Sequence, residues 1–534
     1  MRALKPAMCS LFIVALASTA ALTSIAAQSS GWTGVSAGSD DELYLRSLQI
    51  LGVIPATSWA IRPLSNATLD SAQRVINVKH PWSERFAKNA EKSPSHFSWR
   101  GAAFNADWNS AFPWGGNDGA QWKGRGVSGT LTTGFLFRWK PLTIRAEPIL
   151  VYAQNSAFDV LPTAYGAASP FVDRMRPDQI DLPDRFGNNA LQRVDAGESE
   201  IKLEAHGLTA SLSNRNMFLG PAFKNALLVD ANAPGFAHLS FGTTDGIYTP
   251  VGRFSGVVTY ARLAQSGYAP DKRQGSRLAA ATVVSWRPPH SNGVELGAVR
   301  FYHRDWPVDG LVLGDLKIPF GSFAHDRELF GAQAPDNQLL SLFGRLVSVQ
   351  AGLEVFVDYG RNDRGSSKRD LLVEPEQNAA WSVGFLKVVG QRNSEHFWTT
   401  RAEYLNGRVT AIEAFRPQST FYEHYTITQG HTNLGQLLGS PLLERTGGVE
   451  VSVDRWGNGG KLGAMVQERS MPLTRDLGVP ASEARAQWSL ELNGTQNVHK
   501  MEYGIRAGIV GDFNRTANHN AANLFIGGSV KVGR

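Results

Sequence analysis

The stretch Leu131-Thr132-Thr133-Gly134-Phe135-Leu136-Phe137-Arg138-Trp139 decides the fold class. Its odd positions Leu131, Phe135, Phe137 and Trp139 are apolar and share one face of an extended chain. Thr132, Gly134 and Arg138 share the other. Lys140-Pro141 then turns the chain, and Leu142, Ile144, Ala146 and Leu150 alternate with Thr143, Arg145 and Glu147. A two-residue turn pairs Trp139 with Leu142 and Arg138 with Thr143, so the apolar faces coincide across the hairpin. The same logic holds at His206-Gly207, where Ala205 pairs with Leu208. There Ile201 and Leu203 face one way, Lys202 and Glu204 the other.

A soluble sandwich also alternates, so length, number and loop asymmetry must separate the two architectures. Working outward from this hairpin places strands near 96–108, 126–139, 142–153, 197–206, 208–215, 236–244, 251–264, 277–287 and 293–303. They continue near 337–350, 353–361, 379–389, 396–405, 446–455, 461–470, 482–493, 498–511 and 522–533. Many run nine to thirteen residues, about what a tilted strand needs to cross a bilayer. Eighteen is an even number, as a bacterial barrel with both ends in the periplasm requires. Short connections (140–141, 206–207, 288–293, 351–352, 457–460) alternate with long ones (109–125, 154–196, 216–235, 304–336, 406–445). Short periplasmic turns and long external loops are the asymmetry of an outer-membrane barrel. One register conflicts: a three-residue loop at Ala351-Gly352 puts Arg345 on the face of Val347, Val355 and Val357. Trp139, Trp286, Trp381, Trp398, Trp488 and Tyr503 fall in or at the ends of strands, as interfacial girdles require.

Ahead of the strands the period is helical. Asp40 and Asp41 cap a segment carrying Tyr44, Leu48 and Leu51, with Gly52 as its stop. Ser65 or Asn66 caps a second segment with Leu69, Ala72 and Ile76, and 82–91 suggests a third. Such short helices must pack on something. Arg2 and Lys5, the apolar run 11–21 and small residues at Ser24, Ala26 and Ala27 read as a cleavable secretory signal. The expected division is a signal peptide over 1–27, a periplasmic helical region over 28–95 and a barrel over 96–534. Cys9, the only cysteine, lies inside the signal, so the mature chain carries neither disulfide nor catalytic thiol. Removing Arg2 and Lys5 lowers the formal charge from +6 to +4, too small for a nucleic-acid surface. After the signal no run of eighteen apolar residues offers a transmembrane helix.

Catalytic patterns fail on context. Gly34-Val35-Ser36-Ala37-Gly38 has the spacing of a nucleophile elbow but no preceding strand. Gly124-Arg125-Gly126-Val127-Ser128-Gly129 has the dinucleotide spacing but runs into a strand, so no helix N-terminus can hold a pyrophosphate. Neither a His-Glu-x-x-His nor an EF-hand calcium loop is present. His238, His303, His325 and His396 read as hydrogen-bonding residues of lumen or loops. The expectation is a non-enzymatic protein without metal or cofactor.

Two blocks carry a resemblance. Asn214-Arg215-Asn216-Met217-Phe218-Leu219-Gly220-Pro221 precedes Leu227-Leu228-Val229-Asp230, and Asn232-Ala233-Pro234-Gly235-Phe236-Ala237-His238-Leu239 follows. With Thr57-Ser58-Trp59-Ala60-Ile61-Arg62-Pro63-Leu64-Ser65 and Arg369-Asp370-Leu371-Leu372-Val373-Glu374-Pro375, they resemble the Wzi family of capsule-assembly outer-membrane proteins. The matching motif positions are Asn216, Met217, Gly220, Pro221, Asn232, Pro234, Gly235 and His238. Phe218-Leu219 stands where the family pattern has tryptophans, and Ala237 where it has proline.

The resemblance implies an occluded eighteen-stranded barrel with a helical bundle at its periplasmic end. Its external surface would hold capsular polysaccharide or exopolysaccharide, with outer-membrane lipid as its other partner and a monomeric barrel as its state. Such binding needs aromatic faces for sugar C–H groups and guanidinium forks for hydroxyls or carboxylates. The candidates in the expected external loops are Trp114, Trp122, Arg174, Arg176, Arg215, Asn216, Arg304 and Trp306. The competing role for each is to satisfy buried backbone and plug the lumen. A diffusion channel, motivated by lumen-facing Arg138, Arg145, Glu147 and Lys202, and an outer-membrane hydrolase are the alternatives.

Overall fold

The computed structural model describes residues 35–76, 78–83, 95–160, 169–270, 275–289, 291, 293–320, 336–362, 378–407, 420–471, 485–499, 501–516 and 519–532. The expected signal peptide, the 369–375 element and most of the third helix lie outside these residues. An antiparallel sheet of eighteen strands closes into a barrel, its first strand paired with both the second and the last. The strands are β1 (Ser95–Asn109), β2 (Gly126–Trp139), β3 (Leu142–Ala146 and Ile149–Ala153), β4 (Leu191–Asp195 and Glu200–Ala205), β5 (Leu208–Ser213) and β6 (His238–Thr243). Next come β7 (Gly252–Ala264), β8 (Ser276–Arg287), β9 (Val294–Asp305), β10 (Asp336–Ser348), β11 (Leu353–Asn362) and β12 (Ala379–Gly390). The circuit ends with β13 (His396–Asn406), β14 (Gly447–Gly457), β15 (Gly460–Met471), β16 (Arg485–Val498), β17 (Met501–Thr516) and β18 (His519–Val532). Closure leaves no unpaired edge, which a spanning sheet cannot tolerate in hydrocarbon. The protein is an outer-membrane β-barrel.

The hairpins form in the expected register: Trp139 opposes Leu142, Arg138 opposes Thr143, and Ala205 opposes Leu208. β3 is broken after Glu147, where Pro148 has no N–H for the ladder, and Glu147 bridges Gly197 instead. Gly134 sits opposite this break, because a Cβ there would stand 1.8 Å from the Ala146 carbonyl oxygen. The conflict at Arg345 is resolved by geometry. β10 ends at Ser348, and the turn to Leu353 is four residues long, so Arg345 opposes Phe356 while Leu346 opposes Val355. Arg345 and Val347 face inward, Val355 and Val357 outward. The guanidinium then meets Glu295 at 3.1 Å and Glu354 at 2.7 Å. Trp139, Trp286, Trp398 and Tyr503 ring the end that carries the short turns, and Trp381 and Trp488 lie at the other.

The lumen is filled, and unevenly. Helix α1 (Asp40–Ile50) is capped by Ser39 rather than by the aspartates, and α2 (Asn66–Val75) by Ser65. Both lie at the short-turn, periplasmic mouth. Tyr44 stacks on Trp82 at 4.5 Å and on Phe397 at 5.8 Å, while Arg46 pairs with Glu354 and Arg138 with Asp70. The connection after β5 enters the lumen as a plug, and its short strand Phe218–Leu219 pairs with Ile61–Arg62. The connection after β13 closes over it: Tyr422 and His431 bond the Leu227 and Leu228 carbonyls, at 2.7 and 2.6 Å. The inner face of β7–β10 is apolar here (Val257, Ala261, Ala279, Ala281, Val283, Val299, Phe301, Leu339, Phe343) and packs against Leu227, Leu228 and Val229. The inner face of β13–β18 carries Arg401, Asp454, Glu491 and Arg506 instead, and along it water-sized space remains.

Candidate functional site

The family-motif residues build the plug. Asn216 donates to the Ala233 carbonyl at 3.1 Å, and Met217 is buried. The Gly220 amide donates to Ala60 at 2.9 Å, and Pro221 accepts from Arg46. Asn232 joins three segments: it donates to Leu437 and accepts from Asn117, both at 3.1 Å, while its amide donates to Asp230. The Pro234 carbonyl accepts from Asn433, His238 bonds the Phe236 carbonyl, and a Cβ on Gly235 would meet Asn214 oxygen at 1.9 Å. Arg215 is likewise inside the lumen, held by Glu198 at 2.9 Å and Glu200 at 3.3 Å. Beyond the motif, Glu403 of β13 accepts from the Phe223 amide at 2.7 Å and from Asn225 at 3.0 Å.

A cavity of about 210 Å³ opens at the external, long-loop end. The loops after β1, β3 and β13 and the outer ends of β15, β16 and β17 enclose it. Three of the eight candidates meet here: Trp114, Trp122 and Arg174. Trp114 packs with Phe112, Val510 and Phe525, and its amide bonds the Lys123 carbonyl across the base of its loop. Arg469 stacks over its ring at 4.2 Å and donates to the Gly115 carbonyl at 2.9 Å. Trp122 meets Phe186 edge-on at 5.5 Å. Arg485 and Arg515, also in the lining, share Asp512, and Arg515 lies over Phe112 at 4.5 Å.

Arg174 is different. It is 8% exposed, yet among the described residues its side chain makes no hydrogen bond and no ion pair within 4 Å, and only the longer-range attraction of Asp184 and Asp173 answers its charge. Burial lowers its pKa to about 10, and the nearby Arg485 acts in the same direction, so the group still carries its charge at neutral pH. Asp184, its neighbour in the lining, is held above the usual carboxylate range by burial, against the pull of Arg174. The lining holds five cations (Lys123, Arg174, Arg469, Arg485, Arg515) and three carboxylates (Asp118, Asp184, Glu444). With cations outnumbering carboxylates and Arg174 open to the cavity without a hydrogen bond, the arrangement suits an anionic group arriving from outside.

The remaining candidates lie elsewhere. Arg176 approaches Glu423 of the connection after β13 at 3.8 Å. Arg304 pairs with Asp315 and Trp306 lies under Arg262, both on the outer side of the wall. Trp108, which belongs to the same loop region as Trp114, faces outward from β1. Arg469, Arg485 and Arg515 were not singled out from sequence. Their inward parity at the outer ends of strands was the available signal.

A second cavity, about 440 Å³, runs along the polar inner face of β13–β18 toward the periplasmic mouth. Its lining shares Asp118, Gln121 and Lys123 with the external cavity, so one loop wall divides them. Lys123 holds that wall by ion pairs to Asp118 at 2.6 Å and Asp107 at 3.4 Å. Gly126 opens β2 directly, so the glycine-rich segment 124–129 presents no helix N-terminus to a phosphate. Among the described residues no group of three or more His, Cys, Asp or Glu could hold a metal ion.

No protein-family model matches the chain, and no curated protein matches it in sequence. In structure it is similar to Wzi of Escherichia coli, an outer-membrane protein involved in group 1 capsule assembly and described as a carbohydrate-binding β-barrel. The TM-score is 0.62 at 11% identity, over 94% of this chain and all of that one. Looser likenesses extend to OccAB2 of Acinetobacter baumannii (TM-score 0.40, 8% identity, 80% of this chain and 97% of that) and OpdK of Pseudomonas aeruginosa (0.36, 10%, 80% and 97%). What the likeness to Wzi shows is the fold: the full circuit of strands together with the helical N-terminal region.

Proposed function

We propose that this protein is a distant Wzi-family member that binds capsular polysaccharide or exopolysaccharide and holds it at the cell surface without chemical turnover. The observation that carries the reading is Arg174, a largely buried guanidinium that makes no hydrogen bond or close ion pair among the described residues, in an external cavity walled by Trp114, Trp122 and three further arginines. A guanidinium takes a carboxylate through two parallel N–H donors, and tryptophan edges and faces take the apolar C–H side of a sugar ring. The fit is therefore to a polysaccharide bearing acidic sugars. Purified protein in detergent should bind the cell's own acidic polysaccharide and lose that binding when the sugar carboxylates are reduced to alcohols. Equal binding to both polymers would contradict the reading.

A second reading rests on a separate observation: Asp118, Gln121 and Lys123 line both the external cavity and the lumen cavity. A diffusion channel would pass solute along β13–β18 when the wall they form moves. Stable unitary conductance in planar bilayers, increased by Lys123→Ala, would favour this reading; silence from both proteins would remove it.

A further inference from the structure

Outward-facing positions on the barrel wall are exposed almost everywhere, as Val284 on β8 and Leu342 on β10 are. Toward the outer end of β8, however, the same face carries Ala280 and Leu278, and both are buried. So is Tyr302 on β9. What covers them is the chain after β9. It folds back down the outside of the barrel and ends its described part in a 3-10 helix, Leu313–Phe320. The Tyr260 hydroxyl of β7 donates to the Leu316 carbonyl at 2.7 Å, and Arg300 of β9 donates to Pro319 at 3.3 Å. Arg304 pairs with Asp315, whose carboxylate also takes the Val312 amide at 2.9 Å.

The wall beneath is unsuited to lipid. Its outward face carries Arg262, Arg300, Arg304, Asp336 and Gln338, and Arg300 lies five residues inside the outer end of β9 at Asp305. Charged side chains on the lipid face destabilise a barrel increasingly with depth. The covering segment reverses that surface: Val308, Leu311, Val312, Leu313, Leu316 and Phe320 are all exposed on it. A water-facing loop has no reason to gather six exposed apolar side chains over a charged wall. Val284 and Leu342, on the outward face of β8 and β10, are exposed in the same way, and the stem of exposed Lys317 is long enough to carry its charge toward the headgroups.

We propose that residues 308–320 form a strap embedded in the outer leaflet, whose partner is the acyl region of the outer-membrane lipid. The strap replaces the charged outer half of β7–β10 with an apolar surface, and Arg304 and Trp306 act as its anchors.

The mature chain expected from the sequence has no cysteine, so single-cysteine labelling is clean. Bimane would be placed on Leu313→Cys and Phe320→Cys, with Leu342→Cys as the lipid-facing reference and Tyr425→Cys as the water-facing one. The full-length barrels would be reconstituted in phosphatidylethanolamine vesicles doped with doxyl-labelled phosphatidylcholine. Heat-dependent gel mobility would verify that each barrel is closed. Both strap probes should lose emission about twofold to the doxyl lipid and resist iodide, as Leu342→Cys does. Quenching by iodide as strong as at Tyr425→Cys, with no response to doxyl lipid, would overturn the proposal.

Discussion

Two sets of buried arginines divide the molecule. At the periplasmic mouth the guanidiniums of Arg46, Arg62 and Arg345 each meet a carboxylate. Arg46 bonds Glu354 and the Ala222 and Pro221 carbonyls, Arg62 bonds Glu42 and the Gly220 and Ala222 carbonyls, and Arg345 bridges Glu295 and Glu354. At the external cavity Arg469 reaches only neutral acceptors, Gln467 and the Gly115 carbonyl, and Arg174 reaches none among the described residues. Burying a charge is unfavourable in both places. Where a carboxylate meets the guanidinium, the cost is offset and the helices and plug are fixed to the wall. At the external cavity Arg485 and Arg515 share Asp512, while Arg174 and Arg469 keep donors open to a ligand carboxylate.

The comparison can be broken at its strongest point first. Glu354→Ala orphans Arg46 and leaves Arg345 with Glu295 alone, and should cost about 3–5 kcal/mol, the usual penalty for orphaning a buried charge. Urea unfolding of the refolded barrel would measure it, and an unchanged midpoint would mean that the periplasmic pairs are incidental. Arg174→Ala should do the reverse. Stability should hold, while affinity for the acidic polysaccharide falls tenfold or more, matching about 1.5–3 kcal/mol for hydrogen bonds to a charged group. A lowered unfolding midpoint with unchanged affinity of the folded barrel would show that Arg174 belongs to the structural set.

Smaller effects sharpen the boundary. Trp114→Ala removes the ring under Arg469 and should weaken binding several-fold, about 1 kcal/mol by titration calorimetry. The pH profile has a definite sign. Burial raises the Asp184 pKa, so as pH falls from neutral this carboxyl takes up its proton before an exposed sugar carboxylate does. The cavity then loses a negative charge beside Arg174, and affinity should rise modestly. It should fall again only below about pH 4, where the sugar itself protonates. A monotonic fall across the acid range would argue against Asp184 facing the ligand. Arg304→Ala, in the strap, should leave polysaccharide affinity unchanged.

The barrel was legible because its determinants are local. The alternation through Leu131 and Trp139 gives a strand, and the pairing of Trp139 with Leu142 needs only the turn between them. An occluded lumen followed from the resemblance, but the contacts that build the plug were not legible, because they join residues far apart: Arg46 finds Glu354, and Asn232 joins Asn117 to Leu437. Motif residues such as Asn216 and His238 therefore read as candidates for binding or plugging alike, and the coordinates place them in the plug. Trp114, Trp122 and Arg174 could be named as side chains of long external loops. Nothing in those loops has a period that says whether they fold inward, as 110–125 does, or outward, as 306–320 does. Arg469 and Arg485 were hidden for the opposite reason: they lie in strands, where attention to the loops passed over them.

The central claim is that the Arg174 cavity holds an acidic polysaccharide on the cell. The most direct measurement compares surface-attached with shed polysaccharide in a deletion strain carrying the wild-type protein, the Arg174→Ala variant or neither. The account predicts attachment with the wild type, and release into the medium both without the protein and with Arg174→Ala at equal levels of folded barrel. Polysaccharide retained equally in all three strains would contradict it.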